Sequence, residues 1–263
     1  MNREHRKRIF TAILALPILI WFVLCSPLFF FTFFVLLIGG FATWEHARIW
    51  QLKQKSLLYL CLCLNILFLF FFASHRPLLG LVLTFFLLAL FFIATYGRQP
   101  ELTAHLPIVA LSLLYPALLL GHAFCFLSLI KGRFLLLWTL FIVFASDTGA
   151  FYLGCRFGKH KLYPAVSPKK SWEGLFGGMA SAFVLGLLSN SFLPTAHFKA
   201  LFLAPFLTII EQVGDFFESV IKRHAGLKDS GQILPGHGGL LDRIDGVLFA
   251  LPFSYYIWQW WLK

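Results

Sequence analysis

Long apolar runs follow one another along most of the chain and are separated by short polar segments. Each run has roughly 17–25 residues, the length at which a helix crosses a hydrocarbon layer about 30 Å thick. The runs are continuous rather than alternating, which argues against membrane-spanning strands. The pattern predicts an all-α integral membrane protein with about nine transmembrane helices. These helices are expected at residues 9–25, 27–47, 56–73, 77–96, 104–129, 134–153, 172–193, 199–221 and 244–262.

The composition excludes an ordinary soluble domain, because 59% of the residues are hydrophobic and 33 are Phe. The five cysteines form no CxxC pair and lie mostly in apolar runs, so they indicate small core residues rather than disulfides or a zinc site. A net charge of +11 could indicate nucleic-acid binding. A simpler explanation is that basic loops face anionic lipid headgroups. Membrane lipids are therefore expected partners, and nucleic acid is not.

The basic residues predict the orientation of the chain. With a cytoplasmic N-terminus and nine crossings, 17 of the 22 Lys and Arg residues fall on the cytoplasmic side. The first apolar run follows a basic leader, as in a signal peptide, but it lacks a small-residue cleavage site and another run follows at once. We interpret it as a retained first helix. The predicted location is the cell (inner) membrane, with the polar loops facing the cytoplasm.

Acidic residues divide the chain into two parts. Eight of the eleven lie between Asp147 and Asp245. We therefore predict an apolar transmembrane scaffold at 1–133 and a catalytic transmembrane region at 134–263. The second part contains the two longest polar segments, which are expected to form cytoplasmic loops at 154–171 and 222–243. A dense charged cluster between membrane spans indicates a functional site.

The charged cluster has a specific pattern. From Ser219 it reads Ser-x-apolar-Lys-Arg, then Lys228-Asp229, then Pro-x-His-Gly-Gly-apolar-x-Asp-Arg-apolar-Asp, ending at Asp245. Carboxylates bind divalent cations, and Lys and Arg bind phosphate oxygens. Residues 219–245 resemble the signature of the phosphatidate cytidylyltransferase (CDP-diacylglycerol synthase) family. Two further segments, 147–159 and 167–174, also resemble that family, with Ser171 at a position that often holds Thr.

The resemblance implies the reaction of CTP with phosphatidate to give CDP-diacylglycerol and diphosphate, with Mg²⁺ as cofactor. It also suggests a homodimer, although no motif here indicates one. The residues expected to act in catalysis are Asp215, Lys222, Arg223, His237, Asp242, Arg243 and Asp245. Those expected to bind substrate are Asp147, Lys169, Lys170, Ser171, Glu173, Ser219, Lys228, Asp229, Gly238 and Gly239. Family members place their metal centre at the acidic positions, so Asp215, Asp242 and Asp245 are the expected metal ligands.

The residues themselves support parts of this assignment. Asp215 lies on a polar helical stripe with Glu211 and Ser219 that cannot face lipid. Asp242 begins the next helix, so the two carboxylates can converge if the helices are antiparallel neighbours. A salt bridge with Arg243 is the structural alternative for Asp242.

Other positions allow structural explanations as well as functional ones. Ser171 is a plausible N-cap after Lys169 and Lys170, and a helix N-terminus attracts anions. Gly174 and Gly178 form a GxxxG pair, which indicates helix packing. Residues 237–239 could form a tight turn instead of a ligand contact.

Three alternatives remain for the function. A related cytidylyltransferase could use another lipid phosphate, because contacts to lipid tails are not specific. A transporter could also have nine spans with polar breaks, although the charges cluster at one face rather than at the midplane. The third alternative is a lipid-binding scaffold without activity, which the intact set of charged residues argues against.

Overall fold

A computed structural model describes residues 16–194, 198–231 and 238–263. Its helices are α1 Leu16–Cys25, α2 Leu28–Ile49, α3 Lys55–Ala73, α4 Pro77–Tyr96, α5 Leu106–Ser112, α6 Leu119–Phe126, α7 Gly132–Phe157, α8 Trp172–Ser189, α9 Phe198–His224 and α10 Leu241–Leu262. A 3₁₀ segment, Pro100–His105, precedes α5, and a π-helical segment, Leu113–Leu118, joins α5 to α6. The described residues form mainly long helices, as the apolar runs predicted, with one short β-hairpin in addition.

Seven helical stretches are long and apolar enough to cross a membrane. They correspond to the second through eighth predicted spans, and Pro100–Phe126 counts as one stretch. The first predicted span, 9–25, lies partly outside the described residues. The last falls in α10, which is 22 residues long but is not among the seven. The chain is thus a multi-pass membrane protein, whereas nine spans and a cytoplasmic N-terminus remain predictions.

The segment predicted as a cytoplasmic loop at 154–171 is more ordered than the sequence suggested. Helix α7 continues to Phe157, and a two-stranded antiparallel hairpin follows, with β1 at Lys161–Tyr163 and β2 at Ser167–Ser171. The hairpin leads directly into α8, where the side chain of Ser171 accepts a hydrogen bond from Gly174 N at 3.1 Å. The N-cap prediction for Ser171 is confirmed.

Helices α7 and α8 pack closely through small residues. A Cβ atom added at Gly178 would lie 3.0 Å from the Ser146 backbone oxygen, and one added at Gly174 would lie 3.0 Å from the Ala150 oxygen. Small side chains allow two helix backbones to approach in this way. The packing role predicted for the GxxxG pair is confirmed.

Helices α9 and α10 are also neighbours, as the chain connection between them predicted. A Cβ atom at Gly246 would lie 3.2 Å from the Glu211 Cβ, so glycine lets α10 approach the acidic face of α9. The same interface contains Gly214, opposite the backbone of Asp245. Glu211 of α9 and Asp245 of α10 therefore lie at the interface of two closely packed helices.

Candidate active site

A cavity of about 630 Å³ lies between α7, the hairpin, α8 and α9. Its volume is within the range typical of ligand sites. The polar part of its wall contains Asp147, Lys161, Lys169, Lys170, Ser171, Gln212 and Asp215. Phe151 also lines the cavity, and 56% of its surface is exposed on the outside of the bundle. The cavity thus combines charged side chains with an apolar edge.

Lys170 and Asp215 form the central ion pair of this cavity. The Lys170 Nζ atom lies 2.6 Å from Asp215 Oδ2 and 4.6 Å from the centre of the Phe216 ring. The other carboxylate oxygen, Oδ1, accepts a hydrogen bond from Ser219 Oγ at 3.2 Å. Three predicted site residues, one from the hairpin and two from α9, therefore meet at one point.

Asp147 reaches the same cavity from α7, and its electrostatic neighbours include Asp215, Lys170 and Arg243. Behind it, Glu211 is buried, and its Oε1 atom accepts hydrogen bonds from Ser146 Oγ at 2.8 Å and from Gln212 Nε2 at 3.1 Å. Asp147, an expected substrate-binding residue, therefore lies in the same cavity as Lys170 and Asp215.

A second charged cluster lies beside the first, between α9 and α10. The Lys222 Nζ atom is 2.8 Å from Glu218 Oε2 and 2.5 Å from Asp242 Oδ1. Lys222 and Glu218 are buried, and Asp242 is mostly buried. Removing one member of a buried ion pair leaves an uncompensated charge, at a cost of about 3–5 kcal/mol. Lys222 therefore holds the two helices together as well as neutralising the acids.

Asp242 also organises the polypeptide around it. Its Oδ2 atom accepts hydrogen bonds from Gly239 N at 2.8 Å and from Ser230 N at 2.9 Å. The ion pair that the described residues show for Asp242 is with Lys222. Asp242 joins both ends of the segment between α9 and α10 to Lys222.

Asp245 lies one turn further along α10. Its carboxylate accepts a hydrogen bond from Gly246 N at 2.8 Å, and its electrostatic neighbours include Asp215 and Glu218. Asp245 therefore connects the cavity cluster to the Lys222 cluster. Asp215 pairs with Lys170 and Asp242 pairs with Lys222, so the convergence of these two carboxylates on one metal stays a prediction.

Two predicted residues stabilise the hairpin. Glu173 accepts hydrogen bonds from the His160 backbone N at 3.2 Å and pairs with His160 Nδ1 at 2.6 Å. Arg223 donates from Nε to the Val166 backbone oxygen at 3.3 Å, which joins the end of α9 to the hairpin turn. Both contacts position the lysines that line the cavity.

The remaining predicted residues that the structure describes lie outside the two charged clusters. Lys228 and Asp229 are exposed, outside the set that lines the cavity. Gly238 has φ +82°, a left-handed conformation that favours glycine, which supports a tight turn there. His237 lies outside the described residues, so its predicted role is untested.

The sequence analysis missed two residues of the N-terminal half that reach the signature region. Glu45 of α2 is fully buried and accepts hydrogen bonds from Leu240 N and Leu241 N. Tyr115, in the π-helical segment, packs its ring against Phe217 with the centroids 5.0 Å apart. A signal for Glu45 existed, because it is an acid inside an apolar run, where charge is costly.

Tyr115 lies close to the acidic cluster. Its electrostatic neighbours are Glu218, Asp245, Asp215 and Asp242. Single-turn π segments occur often at functional sites. The π-helical turn places a phenol from the N-terminal half beside acids of the C-terminal half, which helical periodicity in the sequence could not reveal.

The acids provide suitable donors for a hard divalent cation. Within the described ranges, Glu211 Oε2 and Glu218 Oε1 are buried without a hydrogen-bond partner, and each belongs to a side chain with another acid as its neighbour. Facing carboxylates need a cation or a shared proton. However, the same ranges contain no group of three His, Cys, Asp or Glu side chains arranged to hold a metal. Carboxylate oxygens are suitable ligands for Mg²⁺. In this structure Lys170 pairs with Asp215, and Lys222 pairs with Asp242.

The structure places a cavity lined by lysines and carboxylates inside a bundle of long apolar helices. Residues 6–261 match the cytidylyltransferase family. The match covers nearly the whole chain, so the chain belongs to this family of nucleotidyltransferases. The enzyme class expected from the signature is confirmed.

Individual relatives support the same assignment. The chain is 32% identical to a phosphatidate cytidylyltransferase of Haemophilus influenzae, over 96% of this chain and 98% of that protein. It is 33% identical to a phosphatidate cytidylyltransferase of Bacillus subtilis, over 97% of both chains. A phosphatidate cytidylyltransferase of Staphylococcus epidermidis is 42% identical over 51% of this chain and 52% of its own length. The family resemblance drawn from residues 219–245 is thereby confirmed.

Proposed function

We propose that this protein transfers the cytidylyl group of CTP to phosphatidate, giving CDP-diacylglycerol and diphosphate. The observation that carries the proposal is the cavity in which Lys161, Lys169 and Lys170 lie together with Asp147 and Asp215. Lysine ammonium groups bind phosphate oxygens, and both substrates carry phosphates. The names of the full-length relatives supply the identity of the lipid.

The shape of the surface suits an amphiphilic substrate. Beside the cavity, a second groove of about 530 Å³ runs along the outside of α7 and α8. It is lined mostly by apolar side chains, including Phe144, Tyr152 and Leu153. Helix α7 contributes to both, so a lipid could place its phosphate among the lysines and its acyl chains along the groove. The charged head stays in the polar cavity and the apolar tail remains in the membrane.

In the proposed reaction, a phosphate oxygen of phosphatidate attacks the α-phosphorus of CTP. A new P–O bond forms, and the bond between the α-phosphorus and the α–β bridging oxygen breaks. Diphosphate leaves with that electron pair. The nucleophile is already an anion, so the reaction requires no strong general base. The main barrier is repulsion between anions together with charge that develops on the leaving group.

The residues of this chain would lower that barrier by positioning and by charge neutralisation. Lys169 and Lys170 would contact phosphate oxygens, and binding of a phosphate would compete with Asp215 for Lys170. Asp215, Asp242 and Asp245 would hold Mg²⁺, with Glu218 beside them. When bound, Mg²⁺ would neutralise charge on the triphosphate. Arg243, near Asp147, would add positive charge on the same side.

The proposal places the cavity at the cytoplasmic face of the cell membrane. The predicted orientation puts the hairpin and the α9–α10 segment on the side that has most of the basic residues. CTP would then enter from the cytoplasm and phosphatidate from the membrane. Labelling of hairpin lysines by a membrane-impermeant reagent, in intact cells and in inverted vesicles, would establish the side.

Turnover by the purified protein tests the reaction. Labelled CTP, phosphatidate and Mg²⁺ should yield labelled CDP-diacylglycerol, and Asp242→Asn should lose it. No product with phosphatidate, but product with another lipid phosphate, would identify the alternative enzyme. Solute flux in the absence of CTP, with no lipid product, would contradict the enzyme assignment and favour a transporter.

A further inference from the structure

Glu45 is a buried carboxylate in the half of the chain that the sequence analysis treated as a scaffold. It lies in α2 and is 0% exposed. Burying a charge is costly unless it is compensated. Within the described ranges, no Lys or Arg side chain forms an ion pair with Glu45. Its compensation comes instead from the segment that enters α10.

Among the described residues, three hydrogen bonds join Glu45 to the segment between α9 and α10. Leu241 N donates to Oε2 at 2.7 Å, and Leu240 N donates to Oε1 at 3.1 Å. The hydroxyl of Ser230 donates to Oε2 at 3.2 Å. The first N–H groups of a helix lack partners within the helix, and its N-terminus attracts negative charge. Glu45 therefore caps α10 from a different helix.

Local sequence provides no equivalent side-chain cap. The N-cap position of α10 is Leu240, which makes no side-chain capping bond. Asp242 accepts from Gly239 N, one residue earlier. The two carboxylates therefore share the backbone N–H donors at the start of α10 between them. Both also accept a hydrogen bond from Ser230: Glu45 from its hydroxyl and Asp242 from its backbone N.

Two glycines allow this approach. The three atoms nearest to a Cβ atom added at Gly231 all belong to Glu45. A Cβ atom added at Gly239 would lie 2.6 Å from Glu45 Oε2. Any larger residue at Gly231 would therefore displace the Glu45 side chain. The packing shows that Glu45 and the described ends of the signature segment fit closely together.

We propose that Glu45 is a positioning residue of the active site. Glu45 holds the start of α10 in place. It thereby positions Asp242 for its ion pair with Lys222 of α9. The N-terminal half then contributes directly to the geometry of the site. The proposed effect on turnover rests on the proposed function, whereas the effect on the α10 N-terminus does not.

Hydrogen exchange of the full-length protein in detergent tests the structural part. In Glu45→Gln, one amide oxygen can still accept a hydrogen bond, but the NH₂ group cannot. In Glu45→Ala both acceptors are lost. We expect exchange at Leu240 and Leu241 to accelerate about tenfold or more, and more strongly in the alanine variant. Exchange in α4 should remain unchanged. Equal acceleration in α4, or none at α10, would overturn the proposal.

A double-mutant cycle of thermal stability distinguishes a specific contact between Glu45 and Gly231 from general destabilisation. Gly231→Ala alone should lower the thermal stability, because its methyl group meets Glu45. In the Glu45→Ala background the same substitution should have little effect, because the obstructing side chain is gone. Additive effects of the two substitutions would contradict the close packing on which the proposal rests.

Turnover then tests the functional part. We expect Glu45→Ala to lower kcat at least about tenfold, with Glu45→Gln intermediate and the KM for CTP little changed. Thr84→Val is the matched control, because Thr84 is buried in α4 and bonds to its own helix backbone. Normal kcat in Glu45→Ala with accelerated exchange would reject the positioning role. If the wild type itself has no turnover, the proposed function fails while the exchange and stability tests remain decisive for Glu45.

Discussion

The Lys170 ammonium lies 2.6 Å from the Asp215 carboxylate, so a residue of the β-hairpin is paired with one of α9. The two are 45 positions apart in the chain, and nothing in either local sequence specifies the contact. The pair keeps both charges inside the bundle without a ligand. Under the proposed function, a substrate phosphate would compete with Asp215 for Lys170 and leave the carboxylate available for a cation.

Neutralising Asp215 should abolish most of the activity. Asp215→Asn keeps the size of the side chain but removes its charge, so Lys170 loses its partner and the cation loses a donor. We expect the rate of CDP-diacylglycerol formation to fall about 100-fold or more. The rate is measured with labelled CTP. Val213→Ala, on the lipid-facing side of the same helix, should keep near-normal activity. Comparable losses in both variants would contradict a specific role for Asp215.

Removing the Lys170 ammonium should weaken nucleotide or lipid binding. A charged hydrogen bond to phosphate contributes about 1.5–3 kcal/mol, so Lys170→Met should lower kcat/KM about 10- to 100-fold. Saturation curves for both substrates would show which phosphate the lysine contacts. Lys55→Gln is a suitable control, since Lys55 is an exposed residue at the start of α3. Unchanged kinetics for Lys170→Met would remove it from the site.

Chelation should stop turnover without unfolding the protein. The carboxylates keep their lysine partners in the absence of metal, so the bundle should remain folded in EDTA. We expect activity to disappear and to return when Mg²⁺ is added, while the thermal transition shifts little. Turnover that persists in EDTA, after exhaustive dialysis, would reject the proposed cofactor.

Glycine 178 should be intolerant of larger side chains. In Gly178→Val the new methyl groups would meet Ser146 and push α8 away from α7, which line the cavity from two sides. Overpacking of this kind costs about 1–3 kcal/mol, and the thermal transition should fall accordingly. Gly40→Ala is the matched control, because a Cβ there meets nothing within 4 Å among the described atoms. Equal stability of the two variants would contradict the close α7–α8 packing.

The cap of α8 provides a further test of the cavity. Ser171→Ala removes the hydroxyl that accepts from Gly174 N, at a cost of about 0.5–2 kcal/mol. Ser171→Thr should retain the bond and the stability. Thermal denaturation in detergent distinguishes these outcomes. A Thr variant as unstable as the Ala variant would indicate that the hydroxyl is not the stabilising feature.

The membrane class, seven of the spans and the charged signature could be predicted from the amino-acid sequence. Length and hydrophobicity dictate which segments can cross a bilayer, and the cost of charge in that environment marks the functional region. The N-cap at Ser171 and the packing of Gly174 and Gly178 also followed from local rules. The sequence could not establish the number of crossings, because α10 combines a spanning length with polar and aromatic residues.

Which charged side chains pair with one another became visible only from the packing of the helices and the hairpin. The pairing of Lys170 with Asp215, and of Lys222 with Asp242, depends on how separate helices and the hairpin pack, and no local periodicity encodes that. The same holds for Glu45, which is far from the signature in the chain and yet caps α10. Helix ends need partners wherever the fold can supply them, so a distant carboxylate can complete a site whose other members are close in sequence.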